Sequence, residues 1–503
     1  MSWNAALPLL VLVSSFLPGL IIFFLPEERR HLRTTLNLAG AVLKLVFIGF
    51  MLRGVARGEQ YVFRHTVLPG LELNLHGDAL ALLFVSLSAA LWFLTTVYAI
   101  GYLEGSPHRS RFFGFFSLCV TATVGVAMAG NLFTFFFFYE LLTLTTYPLV
   151  VHRGTPSALR AGNVYLMYTL TGGAVLLIGV VWLYGLLGRV EFAPGGSVSV
   201  LGPAYAGQLR FIFFLLIAGI GVKAALVPLH GWLPHAMVAP APVSALLHAV
   251  AVVKAGAFGV VRVVYEVFGV KFAQSLDLLV PLSIAASVTI IWGSLRALWQ
   301  DDLKRRLAYS TISQVSYIIL GVALYGPAGT VGGLVHLVHQ GIMKITLFFC
   351  AGNYAETLGV HKISEMNGIG RRMPLTTAAF SIGALGMIGV PFTAGYVSKT
   401  YLMQGAETAG AAWAGWVLTT SSVLNAAYFL PILYRAWLKR PAGPWPAEHI
   451  ARHGWRETAT LLLFPPLVTG IAVVVAGVLA DHDWSPLSWA KLIAVRQYLG
   501  WNQ

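Results

Sequence analysis

Residues 221–262 read GVKAALVPLHGWLPHAMVAPAPVSALLHAVAVVKAGAFGVVR, an apolar stretch interrupted by prolines and cationic side chains. The prolines stand at 228, 234, 240 and 242. They cannot all occupy regular helix interiors, because proline lacks an N–H and its ring clashes with the preceding turn. We therefore predict a broken helix at Pro228, whose freed backbone groups must be satisfied by protein or by water in a cavity.

The composition of the whole chain indicates a membrane protein. Of 503 residues, 57% are hydrophobic and 10% are charged, whereas soluble domains carry about 25% charged residues. A soluble protein is therefore excluded. The first apolar run, 7 to 25, lacks a preceding positive charge and a small-residue cleavage site, so we predict a transmembrane helix there and not a signal peptide. Cys119 and Cys350 lie inside apolar runs and are interpreted as buried thiols.

Apolar runs long enough to span a bilayer recur along the chain. A spanning helix needs about 20 mainly apolar residues. This criterion predicts about fourteen spans: 7–25, 35–54, 78–101, 111–130, 131–151, 161–188, 210–237, 240–267, 277–299, 304–325, 329–351, 374–405, 411–438 and 458–480. The boundary between the fourth and fifth spans, at Gly130 and Asn131, is the least defined.

The distribution of lysine and arginine predicts the orientation. With fourteen spans, one set of alternate loops holds 19 of the 33 basic residues and the opposite set, with the termini, holds nine. Basic residues concentrate in short cytoplasmic loops, so both termini are predicted on the periplasmic side of a bacterial inner membrane. The net charge of +14 is then mostly a topology signal, and we predict no nucleic-acid partner.

Five lysines remain, and all of them fall inside predicted spans: Lys44, Lys223, Lys254, Lys344 and Lys399. Glu140 is the one acid placed well inside a span. Each ionisable group in hydrocarbon costs about 2.5 to 3.5 kcal/mol even on the lenient insertion scale. Such groups therefore need a partner, water or a function. Lys44, near the start of its span, is interpreted as structural or snorkelling.

The remaining lysines outnumber the single buried acid, Glu140, and together with it suggest a switchable proton site. Burial favours a neutral lysine, and a nearby carboxylate restores the charged form; for Glu140, a purely structural ion pair with a lysine is the alternative. His248 precedes Lys254 by six residues, or about 9 Å of helical rise, so one bridging water or side chain could link them. His230 and His235 are interpreted as loop or interface residues.

A polar stripe runs through LVHLVHQGIMKITLFFCAG. His336, Gln340 and Lys344 repeat at i, i+4 and i+8 with His339 beside them, so we expect them to face the bundle interior as a proton relay. Metal binding by His336 and His339 would need further ligands, and none is evident. A second break is predicted at Pro391, shortly before Lys399.

Motifs for nucleotide, haem and iron–sulfur binding are missing from the sequence. We therefore predict no metal, no cofactor and no catalytic chemistry of the chain's own, with the driving energy supplied from elsewhere. Whether the chain belongs to a redox-driven translocase is left open.

The sequence resembles the antiporter-like subunits shared by Mrp-type cation/proton antiporters and proton-pumping NADH:quinone oxidoreductase. The resemblance covers roughly residues 112–405, and its last string is most similar to the D subunit of Mrp antiporters. The matching strings are FYELLTLTTYPLV, VKAALVPLHGWLPHAMVAPAPVSALLHAVAVVKAG, QDDLKRRLAYSTISQ, HQGIMKITLFFCAG and MNGIGRRMPLTTAAFSIGALGMIGVPFTAGYVSK.

The resemblance implies an all-α membrane fold with two inverted five-helix repeats, spans 4–8 and 9–13, and with spans 7 and 12 broken. As a single transmembrane domain, 1–503 would comprise three N-terminal helices in 1–110, repeats in 111–267 and 277–438, and a last helix and short tail in 439–503. VPFTAG stands at the second break where relatives often have two prolines.

The resemblance also implies roles for particular residues. Proton translocation would use a gating pair, a central lysine with its neighbouring histidine, the polar stripe and a terminal lysine: Glu140 with Lys223, Lys254 with His248, then His336, His339 and Lys344, and finally Lys399. A proton would enter near Lys254 and move along the stripe to Lys399, under control of the gating pair.

We therefore expect a proton-translocating subunit of a multi-subunit Na⁺/proton antiporter. Its expected partners are other membrane subunits, protons and, for an antiporter, Na⁺, together with the lipid bilayer. Three alternatives stay open at this point. They are a proton-pumping subunit of a redox-driven or hydrogenase-like complex, the membrane half of a proton-driven inorganic-carbon uptake system, and a scaffold with structural salt bridges only.

Overall fold

The computed structural model describes residues 2–441, 443–449 and 457–499, apart from the side chains of His248 and Leu499. Within these ranges the chain is mostly helical. The helices are α1 (Trp3–Phe23), α2 (Arg30–Ala56), α3 (Ala79–Tyr102), α4 (Arg109–Ala127), α5 (Leu132–Val150), α6 (Pro156–Leu187), α7 (Ala206–Lys223), α8 (Trp232–His235), α9 (Ala241–Ala245), α10 (Val252–Arg262), α11 (Val270–Ser275), α12 (Leu279–Leu298), α13 (Leu303–Ala323), α14 (Pro327–Leu358), α15 (Ile369–Arg372), α16 (Pro374–Ile388), α17 (Ala394–Thr408), α18 (Ala412–Trp437), α19 (Thr460–Val478) and α20 (Pro486–Leu499).

Eleven helices in the described ranges are long and apolar enough to cross a membrane. Three further segments match predicted spans: the irregular segment 241–268, helix α13, and the interrupted pair α16 and α17. The predicted fold class, an all-α membrane protein of about fourteen spans, is confirmed. The inverted relation of the two repeats stays a prediction.

Side-chain caps fix where several helices begin. Asp78 accepts a hydrogen bond from Ala81 N at 2.6 Å, and Asn131 accepts one from Thr134 N at 2.8 Å. These oxygens satisfy backbone donors that have no partner within the first helical turn. The Asn131 cap separates α4 from α5, at the boundary that the hydrophobic pattern defined least.

A β-hairpin and a further helix were not predicted from the sequence. Strands β1 (Val62–Leu68) and β2 (Leu71–His76) form an antiparallel hairpin between α2 and α3, in which Phe63 pairs with Leu75. Helix α20 lies in the segment predicted as a short tail. The hairpin has a sequence signal, because a Pro-Gly turn separates two β-prone runs.

Helix α14 forms the axis of the bundle. In its most apolar stretch of 18 residues, 94% of the residues are buried, compared with 33% in the corresponding stretch of α2. Gly321 of α13 and Gly333 of α14 allow close approach: a Cβ on Gly321 would lie 2.7 Å from the Cα of Gly333. Small residues at such crossings are typical of helix packing in membranes.

Replacing Gly321 with alanine should therefore separate α13 from α14 and destabilise the protein by about 1 to 3 kcal/mol, the usual cost of overpacking. The measurement is the thermal unfolding midpoint of the purified protein, which should fall by several degrees. Gly49→Ala is the matched control, since no heavy atom lies within 4 Å of a Cβ at that helical glycine. Equal midpoints for the two variants would contradict this account of the packing.

Candidate functional site

The first predicted group, Glu140 and Lys223, lies where α5 meets the end of α7. Lys223 is fully buried, its Nζ donates to the backbone carbonyl of Tyr139, and it stands 3.3 Å from the centre of the Tyr139 ring. No ion pair within 4 Å joins Lys223 to Glu140 in the described structure. The Lys223 ammonium group thus binds the backbone of Tyr139, the residue before Glu140, and not the Glu140 carboxylate.

A glycine on α6 makes the space that the Glu140 carboxyl group occupies. A Cβ on Gly173 would lie 2.7 Å from Glu140 Cδ and 2.8 Å from Oε2. Glu140 Oε1 has no hydrogen-bond partner among the described protein atoms. The carboxylate is therefore half-buried in a fitted position without a fixed partner, which leaves it free to change its contacts.

The break that follows α7 has partners for some of its freed backbone groups. Pro228 lies in the non-helical segment between Lys223 and Trp232. Trp232 Nε1 donates to Val222 O at 2.7 Å, and Val227 N donates to Thr289 Oγ1 at 3.0 Å. Protein groups thus satisfy part of the interrupted helix, as a break at membrane depth requires.

Lys254 connects this half of the chain to α14. Its side chain is fully buried, and its Nζ donates to Leu337 O at 2.7 Å. Leu337 is the neighbour of His336 in sequence, so the lysine reaches the polar stripe directly. His248 lies on the π-helical turn Leu246–Val250 before α10, and its side chain is outside the described part of the structure.

The stripe on α14 is buried throughout. His336, His339, Gln340 and Lys344 are each 0% exposed. His336 Nδ1 lies 2.8 Å from Ser398 Oγ on α17, and Ser398 precedes Lys399. The structure therefore places His336 between Lys254 on one side and the residue beside Lys399 on the other.

Lys399 occupies the second break. Helix α16 ends at Ile388, and α17 begins at Ala394, with Pro391 between them. The Lys399 Nζ donates to Met387 O and Ile388 O, both at 2.9 Å. Carbonyls at a helix C-terminus have no partner within the helix and carry partial negative charge, so they stabilise a cation there.

A second polar connection leads from Lys344 toward Lys399. Lys344 Nζ donates to Ser310 Oγ at 2.6 Å, and Ser310 Oγ lies 2.9 Å from Tyr428 Oη. Tyr428 donates to Asn425 Oδ1, and Asn425 Nδ2 donates to Met387 O at 3.2 Å. The Met387 carbonyl also accepts from Lys399, so both lysines belong to one network.

Between these lysines lies a group of buried polar side chains without protein partners for some of their atoms. Among the described residues, both side-chain polar atoms of Gln314, His339 and Gln340 lack a hydrogen-bond partner, as do Tyr317 Oη and His336 Nε2. Buried polar groups are normally hydrogen-bonded, and water commonly supplies the bond. The interior around α14 is thus suited to hold water.

The sequence analysis misplaced one buried charge and missed the burial of another. Arg262, assigned to an outer loop, is 1% exposed on α10. Glu266, placed near the end of its span, does lie near the end of segment 241–268 but is only 4% exposed. Their i, i+4 spacing was an available signal. Lys44 does not snorkel: it is fully buried and donates to Ser15 Oγ at 2.7 Å.

The remaining predicted side chains lie away from this network. His235 is exposed and within 2.7 Å of Gly231 O, and His230 Nε2 accepts from the surface residue Trp292. Cys119 and Cys350 are both buried free thiols. In the described ranges no group of three or more His, Cys, Asp or Glu residues is placed to hold a metal ion.

A cavity of about 380 Å³ opens at the end of the bundle that carries the basic loops. Arg153, Lys304 and Arg305 are among its lining residues. Lys304 Nζ donates to Ala239 O at 2.8 Å, close to the start of the segment that carries Lys254. Solvent therefore comes close to this segment from that end.

We expect ordered water around Gln314, His339 and Gln340, because their buried polar atoms otherwise lose hydrogen bonds at about 1 to 3 kcal/mol each. A high-resolution cryo-EM map of the protein in its complex should show density bridging these groups. The apolar contact of Phe84 with Phe258, at 5.1 Å between ring centres, is the internal control and should stay dry. A dry stripe at a resolution that shows water elsewhere in the interior would contradict the expectation.

Comparison with known proteins places this geometry in a family. Residues 129–425 match the family described as NADH:quinone oxidoreductase/Mrp antiporter, TM. The N subunit of the NADH-quinone oxidoreductase of Desulforudis audaxviator is 37% identical, over 85% of this chain and 86% of its own length. The D subunit of the Na(+)/H(+) antiporter of Bacillus subtilis is 27% identical, over 92% of this chain and 93% of its own length.

A solved structure has the same fold. A chain of the Mrp complex from Dietzia sp. DQ12-45-1b superposes with a TM-score of 0.87 over 99% of this chain and 98% of that chain, at 24% identity. At this identity the likeness concerns the fold alone. The family match covers more than half of the sequence and spans every residue predicted for proton translocation, from Glu140 to Lys399. The predicted resemblance is therefore confirmed, and the chain belongs to the NADH:quinone oxidoreductase/Mrp antiporter transmembrane family.

Proposed function

We propose that the chain is the proton-translocating subunit of a multi-subunit Na⁺/proton antiporter. The observation that carries the proposal is the burial of five lysines, four of them fully, none of which enters an ion pair among the described residues. A scaffold would neutralise such charges, because an unpaired buried charge is costly. Groups that exchange protons do not need permanent partners.

In the proposed mechanism, protons move between Lys254 and Lys399 by way of α14. Lys254 binds beside His336, and His336 contacts Ser398 next to Lys399. Histidine can accept a proton on one ring nitrogen and release one from the other, so it suits the middle of the relay. The network through Ser310 and Tyr428 links the position of Lys344 to that of Lys399 but does not itself pass a proton, because the Met387 carbonyl at its end only accepts hydrogen bonds.

The Glu140 and Lys223 pair is proposed as the gate. In the described conformation, Lys223 binds the Tyr139 carbonyl and Glu140 has an unpaired oxygen. Moving the ammonium onto the carboxylate would change the field at Lys254. The link is short, since a Cβ on Gly256 of α10 would lie 2.6 Å from the carbonyl carbon of Lys223.

For location, we propose the bacterial inner membrane with both termini on the periplasmic side. Two contacts support a common side for the termini. Trp3 packs near Phe50 at the end of α2, at 6.3 Å between ring centres, and Trp489 of α20 donates to Ala79 O at the start of α3. Both contacts lie at the hairpin end, opposite the basic loops.

We also propose that 111–267 and 277–438 are the inverted repeats, flanked by 1–110 and 439–503 in one transmembrane domain. The two breaks support this division. Each has a buried lysine at an interrupted helix, Lys223 at the end of α7 and Lys399 against the end of α16. Paired interrupted helices are typical of repeat-built transporters.

A second candidate is the proton-pumping membrane subunit of a redox-driven complex. It is favoured by the 37% identity with the NADH-quinone oxidoreductase subunit, which exceeds the 27% identity with the antiporter subunit. In both candidates the chain works beside other membrane subunits and has the same internal relay. The two differ in the partner that drives it.

Glu140→Gln should lower sodium-driven proton exchange by about 100-fold, the typical contribution of a positioned proton-transfer group. The measurement is the initial rate of pH change in proteoliposomes that contain the purified complex. Glu104→Gln, at an exposed loop acid, should leave the rate unchanged. Near-normal exchange by an assembled Glu140→Gln complex would contradict the proposed gate.

Gly173→Ala should also reduce exchange, because its methyl group would occupy the space of the Glu140 carboxyl group. The same assay measures it, and we expect a loss smaller than that of Glu140→Gln. Gly185→Ala on the same helix is the matched control, since nothing lies within 4 Å of a Cβ there. Equal rates for the two alanine variants would show that the carboxylate position is not required.

The composition of the native complex distinguishes the two candidates. Small hydrophobic membrane partners without redox centres are expected for the antiporter. The measurement is mass spectrometry of the complex purified through a tag on this chain. Flavin-binding or iron–sulfur subunits in stoichiometric amounts would instead favour the redox-driven candidate.

A further inference from the structure

A cavity of about 620 Å³ lies at the hairpin end of the bundle, opposite the basic loops. It is formed where the end of α2, the start of α3, the segment after α10 and helix α20 come together. Glu59, Asp78, Leu80, Phe192 and Glu266 are among its lining residues. None of them belongs to the predicted site.

Behind this wall, Arg262 is held by two carboxylates. Its Nη1 donates to Asp78 Oδ2 at 2.6 Å and to Glu266, and its Nη2 donates to Ala127 O at 3.3 Å. Asp78 also caps α3. The guanidinium is therefore tied to α3, to the end of α4 and to its own helix.

Arg262 separates the cavity from the interior that contains Lys254. On one side its Cζ lies 5.5 Å from the ring centre of Phe192, which lines the cavity. On the other it lies 5.2 Å from Phe258, which packs on Phe84. Lys254 is eight residues back on the same helix, or about 12 Å along its axis.

The charged side chains around the cavity nearly balance, and the innermost of them is the fixed cation Arg262. Asp78 and Glu266 pair with Arg262, and Glu59 adds a third carboxyl group. Burial, more than any nearby charge, lowers the pKa of His76, another lining residue, so its ring adds no positive charge near neutral pH. Lys271 and Arg496 also line the cavity. A fixed arginine across a pore is a known barrier to protons and cations.

We propose that this cavity is a water-filled outer vestibule for protons, and that Arg262, fixed by Asp78 and Glu266, closes it off from Lys254. The inference rests on the proposed function, since it adds an outer opening to the proton path. Arg262 acts here as a positioning residue and a barrier. Its release from the two carboxylates would connect Lys254 with the outer solution.

Thiol labelling tests the vestibule and its barrier. Leu80 lines the cavity and Phe84 lies one turn deeper on α3, behind Arg262. In the full complex, a membrane-impermeant cationic thiol reagent added from the hairpin side should modify Leu80→Cys and not Phe84→Cys. Adding Arg262→Gln should expose Phe84→Cys. An unreactive Leu80→Cys, or a Phe84→Cys whose reactivity does not depend on Arg262, would overturn the proposal.

Passive proton flux gives the second test. Arg262→Gln should raise proton leak into proteoliposomes under an imposed pH gradient by at least about tenfold, because the barrier charge is removed. Arg210→Gln is the matched control, since Arg210 forms an exposed ion pair with Asp277. If Arg262→Gln does not assemble, a triple variant that adds Asp78→Asn and Glu266→Gln removes the carboxylates that would be left without a partner. This triple variant should show the same raised proton leak. An assembled variant without added leak would overturn the proposal.

These outcomes separate the vestibule from the proposed function. Unreactive Leu80→Cys in a complex that still exchanges sodium for protons would reject the vestibule alone. A reactive vestibule and an Arg262-dependent leak, in a complex without sodium-driven exchange, would support the vestibule and reject the antiporter function.

Discussion

Lysine side chains buried without a counter-ion are the constraint on which the rest of this structure depends. Each loses the hydration that stabilises its charge, and the surrounding helices return only part of it through carbonyls, hydroxyls and aromatic rings. Lys254 has one carbonyl and Lys344 has a serine with a carbonyl. In the proposed relay, such partial solvation would let each lysine bind and release a proton.

Backbone carbonyl groups, and not carboxylates, accept hydrogen bonds from several of these lysines. Interrupting a helix frees carbonyl groups at its end, and these groups are polar without carrying a full charge. Lys399 uses the end of α16 in this way, while Lys223 uses the carbonyl of Tyr139 inside α5. A carbonyl partner is easier to leave than a buried carboxylate, because the departing ammonium leaves no full opposite charge behind.

Much of this arrangement follows from the sequence, since a spanning helix needs a long apolar run and ionisable groups inside one face the bundle interior. The stripe of His336, Gln340 and Lys344 has a helical period and is buried as expected. Contacts between distant segments have no such local signal. The bond from Lys254 to Leu337 and the placing of Gly173 against Glu140 arise only when helices pack.

Arg262 shows why a charge near the end of a span is difficult to assign from sequence. Assigning basic residues to alternate loops places Arg262 in an outer loop. Its burial depends on Asp78, which lies 184 residues away along the chain. The hairpin and α20 were also missed, because a search for apolar runs of about 20 residues disregards short β-prone segments and a helix of 14 residues. These elements shape the hairpin end of the molecule, where the cavity beside Arg262 lies.

The central claim is that the buried lysines around α14 carry protons, and the most direct measurement compares two lysines that are equally buried. Lys254 contacts the stripe, whereas Lys44 lies apart from it and binds Ser15. We expect Lys254→Met to abolish sodium-driven proton exchange in proteoliposomes and Lys44→Met to retain it within about twofold, since only the first removes a relay group. Normal exchange by an assembled Lys254→Met complex, or equal loss in both variants, would contradict the account.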